Sequence, residues 1–123
     1  MIDSALTERI IGLAIDVHRD TGPGLLESAY ECCLCFELER ANIPFERQVV
    51  VPIIYRGLRL DEGFRADIVV DRSVILEIKA AAGILPVHEA QLQTYLRMSG
   101  IRVGLILNFH ASRLIDGLRR LVV

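Results

Sequence analysis

The sequence predicts a single α/β domain, a mixed β-sheet flanked by helices, in the order helix, helix, three-strand meander, helix, strand and a last short strand. Two N-terminal segments carry apolar residues at helical spacing. Two Val- and Ile-rich runs flank Asp71-Arg72-Ser73 and read as a β-hairpin. A helix-length segment opened by Pro86 then separates the second of those runs from another, almost wholly apolar run, which predicts a right-handed parallel crossover. With 123 residues, 52% hydrophobic and 24% charged, the chain can bury one proper core with an ordinary soluble balance, so residues 1–123 are read as one domain.

The elements follow in order. Leu6, Ile10, Leu13, Ala14 and Val17 define an amphipathic helix from about Ser4 to Arg19, with Ser4 as its expected N-cap and His18 as a surface residue complementing the helix dipole. Thr21-Gly22-Pro23-Gly24 breaks the chain. A second helix is expected from about Leu25 to Ala41, closed by Asn42 in a left-handed cap and by Pro44. On it Glu27, Glu31, Leu34 and Leu38 share one stripe, so the two acids are either its exposed edge or functional. Gln48 to Tyr55 is a strand whose Pro52 places it at a sheet edge or at a bulge. Arg56-Gly57-Leu58-Arg59 turns the chain into the hairpin. Pro86 to Ser99 forms the third helix, stopped by Gly100, with His88, Gln91 and Tyr95 on one face. Val103 to Asn108 suits a strand buried on both faces, and Leu118 to Val123 an edge strand blunted by Arg119 and Arg120.

The hairpin holds the chemistry. Pairing Val70 with Val74 gathers Phe64, Ala66, Ile68, Val70, Val74, Leu76 and Ile78 on one apolar face. The other face then sets Asp67 opposite Glu77 and Arg65 opposite Lys79. Two adjacent carboxylates on a mostly apolar strand pair are costly to ionise together unless a cation lies between them, and a divalent metal would supply one. Solvated charges on an open face, or an Asp/Lys/Glu ion cluster, would use the same residues. Lys79 tips the balance: it is the only lysine, the thirteen other basic residues being arginine, so a compact ammonium stands where chemistry would want it.

Composition excludes some classes. No apolar run is long enough to span a bilayer, and Asp3 stands where a leader would carry basic residues, so a cytoplasmic protein with no membrane partner is expected. A net charge of −2 gives no global attraction to nucleic acid, so any such partner must bind a local patch. Cys32, Cys33 and Cys35 crowd one helix and are read as buried small hydrophobes rather than as a disulfide framework, despite the C-x-x-C. The high hydrophobic content and apolar first helix lead us to expect a homo-oligomer, most simply a dimer.

Asp67, nine intervening residues and Glu77-Ile78-Lys79, on adjacent strands between an acidic helix and a crossover helix, resemble the PD-(D/E)XK nuclease superfamily. Gly24-Leu25-Leu26-Glu27-Ser28-Ala29-Tyr30 is similar to the signature of its small GxxExxY family. Pro52 to Gly57, Gly63 to Asp67, His88-Glu89-Ala90-Gln91 with Tyr95-Leu96, and Gly104 to Phe109 also look like that family. The resemblance implies a three-layer restriction-endonuclease-like sandwich and a metal-dependent nuclease acting on DNA. It implies Mg²⁺ or Mn²⁺ on Asp67, Glu77, the Ile78 carbonyl and Glu27. Lys79 would orient or deprotonate the attacking water, and Gln91 and Tyr95 would stand beside the site. Independently of the resemblance, DNA as substrate would have to bind a local arginine patch near Arg56, Arg59 and Arg65. Ala66 replaces the motif's proline. No thiol or serine nucleophile with a suitable histidine stands out, so direct hydrolysis by water is preferred. A binding or assembly module that keeps the fold without turnover is the alternative, favoured by the acidic composition and small size.

Overall fold

A computed structural model describes residues 4–123, so Asp3 lies outside the described residues. The chain forms α1 (Ser4–Thr21), α2 (Glu27–Arg40), β1 (Phe45–Tyr55), β2 (Leu58–Val70), β3 (Val74–Lys79), α3 (Pro86–Ser99), β4 (Val103–Asn108), a 3₁₀ turn (Leu114–Gly117) and β5 (Leu118–Val122). The strands make one sheet in the order β1-β2-β3-β4-β5, with β3 and β4 parallel and the other neighbours antiparallel. Helices cover both faces. Ile10 and Ala14 of α1 and Leu34 and Leu38 of α2 pack with Ile68, Val70, Leu76 and Ile78, while Leu92 and Leu96 of α3 pack with Val69, Ile75 and Ile106. This is the expected α/β sandwich, consistent with a restriction-endonuclease-like fold.

Local signals are obeyed where the chain turns. Asn42 takes φ 57, and α2 closes with the Asn42 amide on the Glu39 carbonyl and the Ile43 amide on the Leu38 carbonyl, each 3.0 Å. These two bonds are a Schellman closure, which satisfies carbonyls that a helix end otherwise leaves free. Pro52 sits on the outermost strand and at a bulge, since the β1–β2 register shifts between Val51 and Ile53. β4 is buried along its whole length, as its unbroken apolar run requires.

Several expectations are corrected. Ser4 is already helical, and β1 begins at Phe45 rather than Gln48. His18 is buried, with Nε2 2.8 Å from the Ala111 carbonyl oxygen, because the chain after β4 folds back over the end of α1. Cys35 is buried but Cys32 is exposed. The largest correction concerns β2. The Val70–Val74 register is as expected, yet the β2–β3 ladder stops at Ile68–Leu76, and Arg65 pairs with Val50 of β1 instead of Lys79. Phe64 and Ala66 also join the α3 side of the core, whereas Ile68 and Val70 join the α1/α2 side. Regular alternation would put all four together. β1 changes side at the same level: Phe45 packs on the α1/α2 side, Val49 and Val51 on the α3 side, and Gln48 between them has φ 52.

Candidate active site

Beyond Leu76 the two hairpin strands part, and the Asp67 carboxylate stands in for the missing ladder partner. The Ile78 amide donates to Asp67 Oδ2 at 2.7 Å. Along a strand, the N–H and C=O of one residue point to the same side, so the Ile78 carbonyl faces the same opening. Leu76 and Ile78 belong to the α1/α2 side of the core, which directs Glu77 to the α3 side. There it meets Tyr95, whose ring packs edge-on against Phe64 with centroids 3.8 Å apart.

The electrostatics follow from burial. Glu77 is buried and its carboxyl is pushed up to about 8, first by that burial and then by the Asp67 charge, with Lys79 pulling the other way. Asp67 is also raised, mainly by burial and further by the charge of Glu31, against the Ile78 amide and Lys79. The Tyr95 phenol is pushed up by burial and then by the Glu77 and Asp67 charges, so its hydroxyl stays a donor beside the pair. Glu77 Oε1 is buried with no hydrogen-bond partner among the described residues. Such an orphaned acceptor calls for a proton or a cation.

The end of β3 is tied down from three directions. Glu27, exposed at the first turn of α2, accepts the Ala80 amide on Oε2 at 3.1 Å. The Phe109 amide donates to the Lys79 carbonyl at 2.9 Å. Asn108, buried at the end of β4, accepts the Ala81 amide at 3.2 Å and donates to the Ala81 carbonyl at 3.0 Å. Tyr30 joins the first two ties. Its hydroxyl donates to the Gly22 carbonyl at 2.6 Å and accepts the Leu25 amide at 3.1 Å, which shapes the loop ahead of Glu27. Its ring stacks on Phe109 at 4.5 Å.

The structure therefore brings Asp67, Glu77, Ile78, Lys79 and Tyr95 together at the end of β3. Glu27 reaches the same segment through Ala80, and Asp67 and Glu77 feel each other and Lys79 but not Glu27. Gln91 is half-buried one turn before Tyr95, and Arg65 is exposed two residues before Asp67. What the sequence left undecided is Glu31. It is buried, and its Oε2 takes two bonds from Arg47, at 3.0 and 2.8 Å, while Oε1 takes one from Gln48 at 2.8 Å. Its place on a stripe with Leu34 and Leu38 was the available signal.

Among the described residues no three or more His, Cys, Asp or Glu side chains gather into a metal cage. The site instead offers two carboxylates, one orphaned oxygen and a carbonyl. A hard divalent cation, which prefers carboxylate and carbonyl oxygens, suits that donor set.

A family model described as the PD-(D/E)XK nuclease superfamily matches residues 4–121. The chain belongs to that superfamily, whose nucleases generally use divalent metals. No curated protein and no solved structure matches it.

The buried pair sets a pH dependence. Glu77 rises from the ordinary 4.5 to about 8 on folding, so between those values the native state holds more protons than the unfolded one. Stability of the metal-free protein should then fall as pH climbs from about 4.5 to 8. Urea midpoints compared at about pH 4.5 and about pH 8, the two ends of that window, check this. Glu77→Gln should flatten the slope and gain on the order of 1–2 kcal/mol at the higher pH.

Proposed function

We propose that this protein is a divalent-metal-dependent nuclease that hydrolyses phosphodiester bonds, with DNA as the substrate. The Asp67–Glu77 pair, placed where β2 parts from β3 and followed by Lys79, carries the reading. The Gly24-to-Tyr30 stretch supports placing the chain in the GxxExxY family, and its residues have physical tasks here: Tyr30 shapes the loop ahead of Glu27, which bonds the end of β3. A cytoplasmic setting suits the reading, and among the described residues no helix is long and apolar enough to cross a membrane.

Asp67, Glu77 and the Ile78 carbonyl would hold Mg²⁺ or Mn²⁺, with Glu27 completing the site. Bound there, such an ion supplies a polarised phosphoryl oxygen and an acidified water. Lys79 orients the attacking water and offsets charge on the phosphate as the phosphorus–oxygen bond breaks. Tyr95 keeps its proton and can donate to a phosphate oxygen, with Gln91 one turn away on the same helix. Arg65, with Arg56 and Arg59 farther along the β1–β2 ribbon, provides a local patch for the backbone of DNA.

Calorimetric titration of Mn²⁺ together with cleavage of a DNA oligonucleotide tests the site. Glu77→Gln should lose both metal affinity and activity, by about tenfold or more. Lys79→Ala should bind Mn²⁺ at least as well, since a nearby cation is gone, yet lose turnover by a similar factor. No binding by the wild type at about millimolar Mn²⁺ would overturn the enzyme in favour of a silent binding module. DNA binding should weaken steeply with salt and show no sequence preference, as filter binding across a salt series would reveal.

We also propose a homodimer. Leu26, Ile54, Tyr55 and Leu58 are exposed, beyond what one small sandwich leaves uncovered without purpose. Sedimentation at about micromolar protein should give twice the monomer mass, and a monomer alone would refute it.

A further inference from the structure

Four features meet at one level of the sheet. Glu31 is a buried acid on α2, a layer away from the Asp67–Glu77 pair. Its two oxygens are taken by Arg47 and Gln48, consecutive residues of β1. Gln48 holds φ 52 in the middle of a strand, where a residue with a side chain is strained and glycine is not. The flanking pairs Arg47–Ile68 and Val49–Ala66 lie on opposite sides of the core, so the pleat of both strands reverses across Gln48 and Asp67. Backbone strain of this kind persists only when surrounding contacts over-determine it, and it gathers at functional sites.

We infer that Glu31 is a positioning residue: by gripping Gln48 and Arg47 it holds β1 in a left-handed kink, and the kink releases Asp67 from the strand ladder so that its carboxylate reaches the Ile78 amide. Without the kink, regular alternation would carry β2 alongside β3, and Ile78 would take a main-chain partner. Glu31 touches no substrate atom in this scheme. It acts through the backbone of Gln48, which no side chain in the hairpin itself accounts for. The Arg47 fork on Oε2 gives the buried Glu31 a charged, two-pronged partner, and the Gln48 amide on Oε1 aligns the kinked residue.

The inference concerns the geometry of Asp67 and deepens the proposed nuclease site without needing a metal for its first test. Hydrogen exchange of the Ile78 amide, followed by NMR, reads the Asp67 contact directly. Gln48→Gly removes the side-chain bond but suits the left-handed backbone, whereas Gln48→Val opposes it. Gln48→Gly is expected to keep Ile78 protection within about threefold of wild type, and Gln48→Val to lose about tenfold or more, while amides of the β3–β4 ladder keep theirs in both. Should Gln48→Val not fold, Gln48→Ala, which also disfavours the left-handed backbone without added bulk, is read in its place. Equal Ile78 protection in the glycine and valine (or alanine) variants overturns the inference, because the kink would then be irrelevant to Asp67. Glu31→Ala, which removes the grip itself, is expected to lower Ile78 protection by about tenfold as Gln48→Val does, and unchanged Ile78 protection in Glu31→Ala overturns the inference, because the kink would then not depend on Glu31.

Mn²⁺ titration of the same proteins forms a second arm, which rests on the nuclease reading. Affinity should follow Ile78 protection, retained in Gln48→Gly and reduced about tenfold in Gln48→Val. Wild type that binds no Mn²⁺ but shows the expected exchange pattern sinks the metal site and leaves the positioning role standing. Wild type that binds Mn²⁺ with affinity unchanged in every variant does the reverse.

Discussion

The contact on which the rest of the site depends is the hydrogen bond from the Ile78 amide to Asp67. In an uninterrupted antiparallel pair that amide would face a main-chain carbonyl, and neither strand would have room for chemistry. Substituting a side-chain oxygen keeps the buried donor satisfied while opening the sheet. The opening admits two carboxylates at one level, leaves a carbonyl facing the gap and puts a lysine two residues on. A sheet edge exposed to solvent could supply the same groups, but not with their charges partly desolvated. Here the core on both faces stays intact up to the residue before the gap.

That arrangement stores unfavourable charge. Burial raises both Asp67 and Glu77, the Asp67 charge raises Glu77 further, and Glu77 Oε1 has no hydrogen-bond partner among the described residues. Lys79 offsets part of this without cancelling it. A structural ion cluster would be expected to balance its charges, with hydrogen bonds filling the remaining lone pairs. Glu31 shows what that looks like in the same molecule: buried, and bonded on both oxygens by Arg47 and Gln48. The contrast between the satisfied Glu31 and the unsatisfied Glu77 is what separates scaffolding from a site.

Much of this was legible in the sequence because its causes are local. Asn42 before Pro44 announces a left-handed helix end, Pro52 announces an outer, bulged strand, and the alternation around Val70 and Val74 fixes the turn register. The parallel crossover follows from a helix lying between two apolar strands. The reversal of the pleat was not legible. Gln48 is not a residue type that signals φ above zero, and Phe64-Arg65-Ala66 alternates as a regular strand should, so only contacts with α2 and α3 reveal the change. His18 was misread for the same reason: its burial comes from Ala111, ninety-three positions later in the chain. Long-range packing is invisible to a window of neighbours.

Glu27 and Glu31 show how one helix serves two ends. Four residues apart, they share a stripe, and pattern alone cannot tell them apart. Their fates diverge because α2 crosses the sheet. Its first turn projects past the end of β3, where Glu27 meets the Ala80 amide and water, and its second turn lies over the interior, where Glu31 meets β1. Tyr30 sits between them in sequence and fixes the crossing, with its hydroxyl on the loop that launches the helix and its ring on Phe109, whose amide holds Lys79. A glycine, an acid and a tyrosine at three-residue intervals thus do one mechanical task. Gly24, at φ 116, lets the chain turn into the helix, Glu27 meets the strand end, and Tyr30 locks the turn against the layer that carries Lys79. Shifting the acid by one position would rotate it about 100° around the helix and away from the strand it holds, so the spacing itself is part of the site.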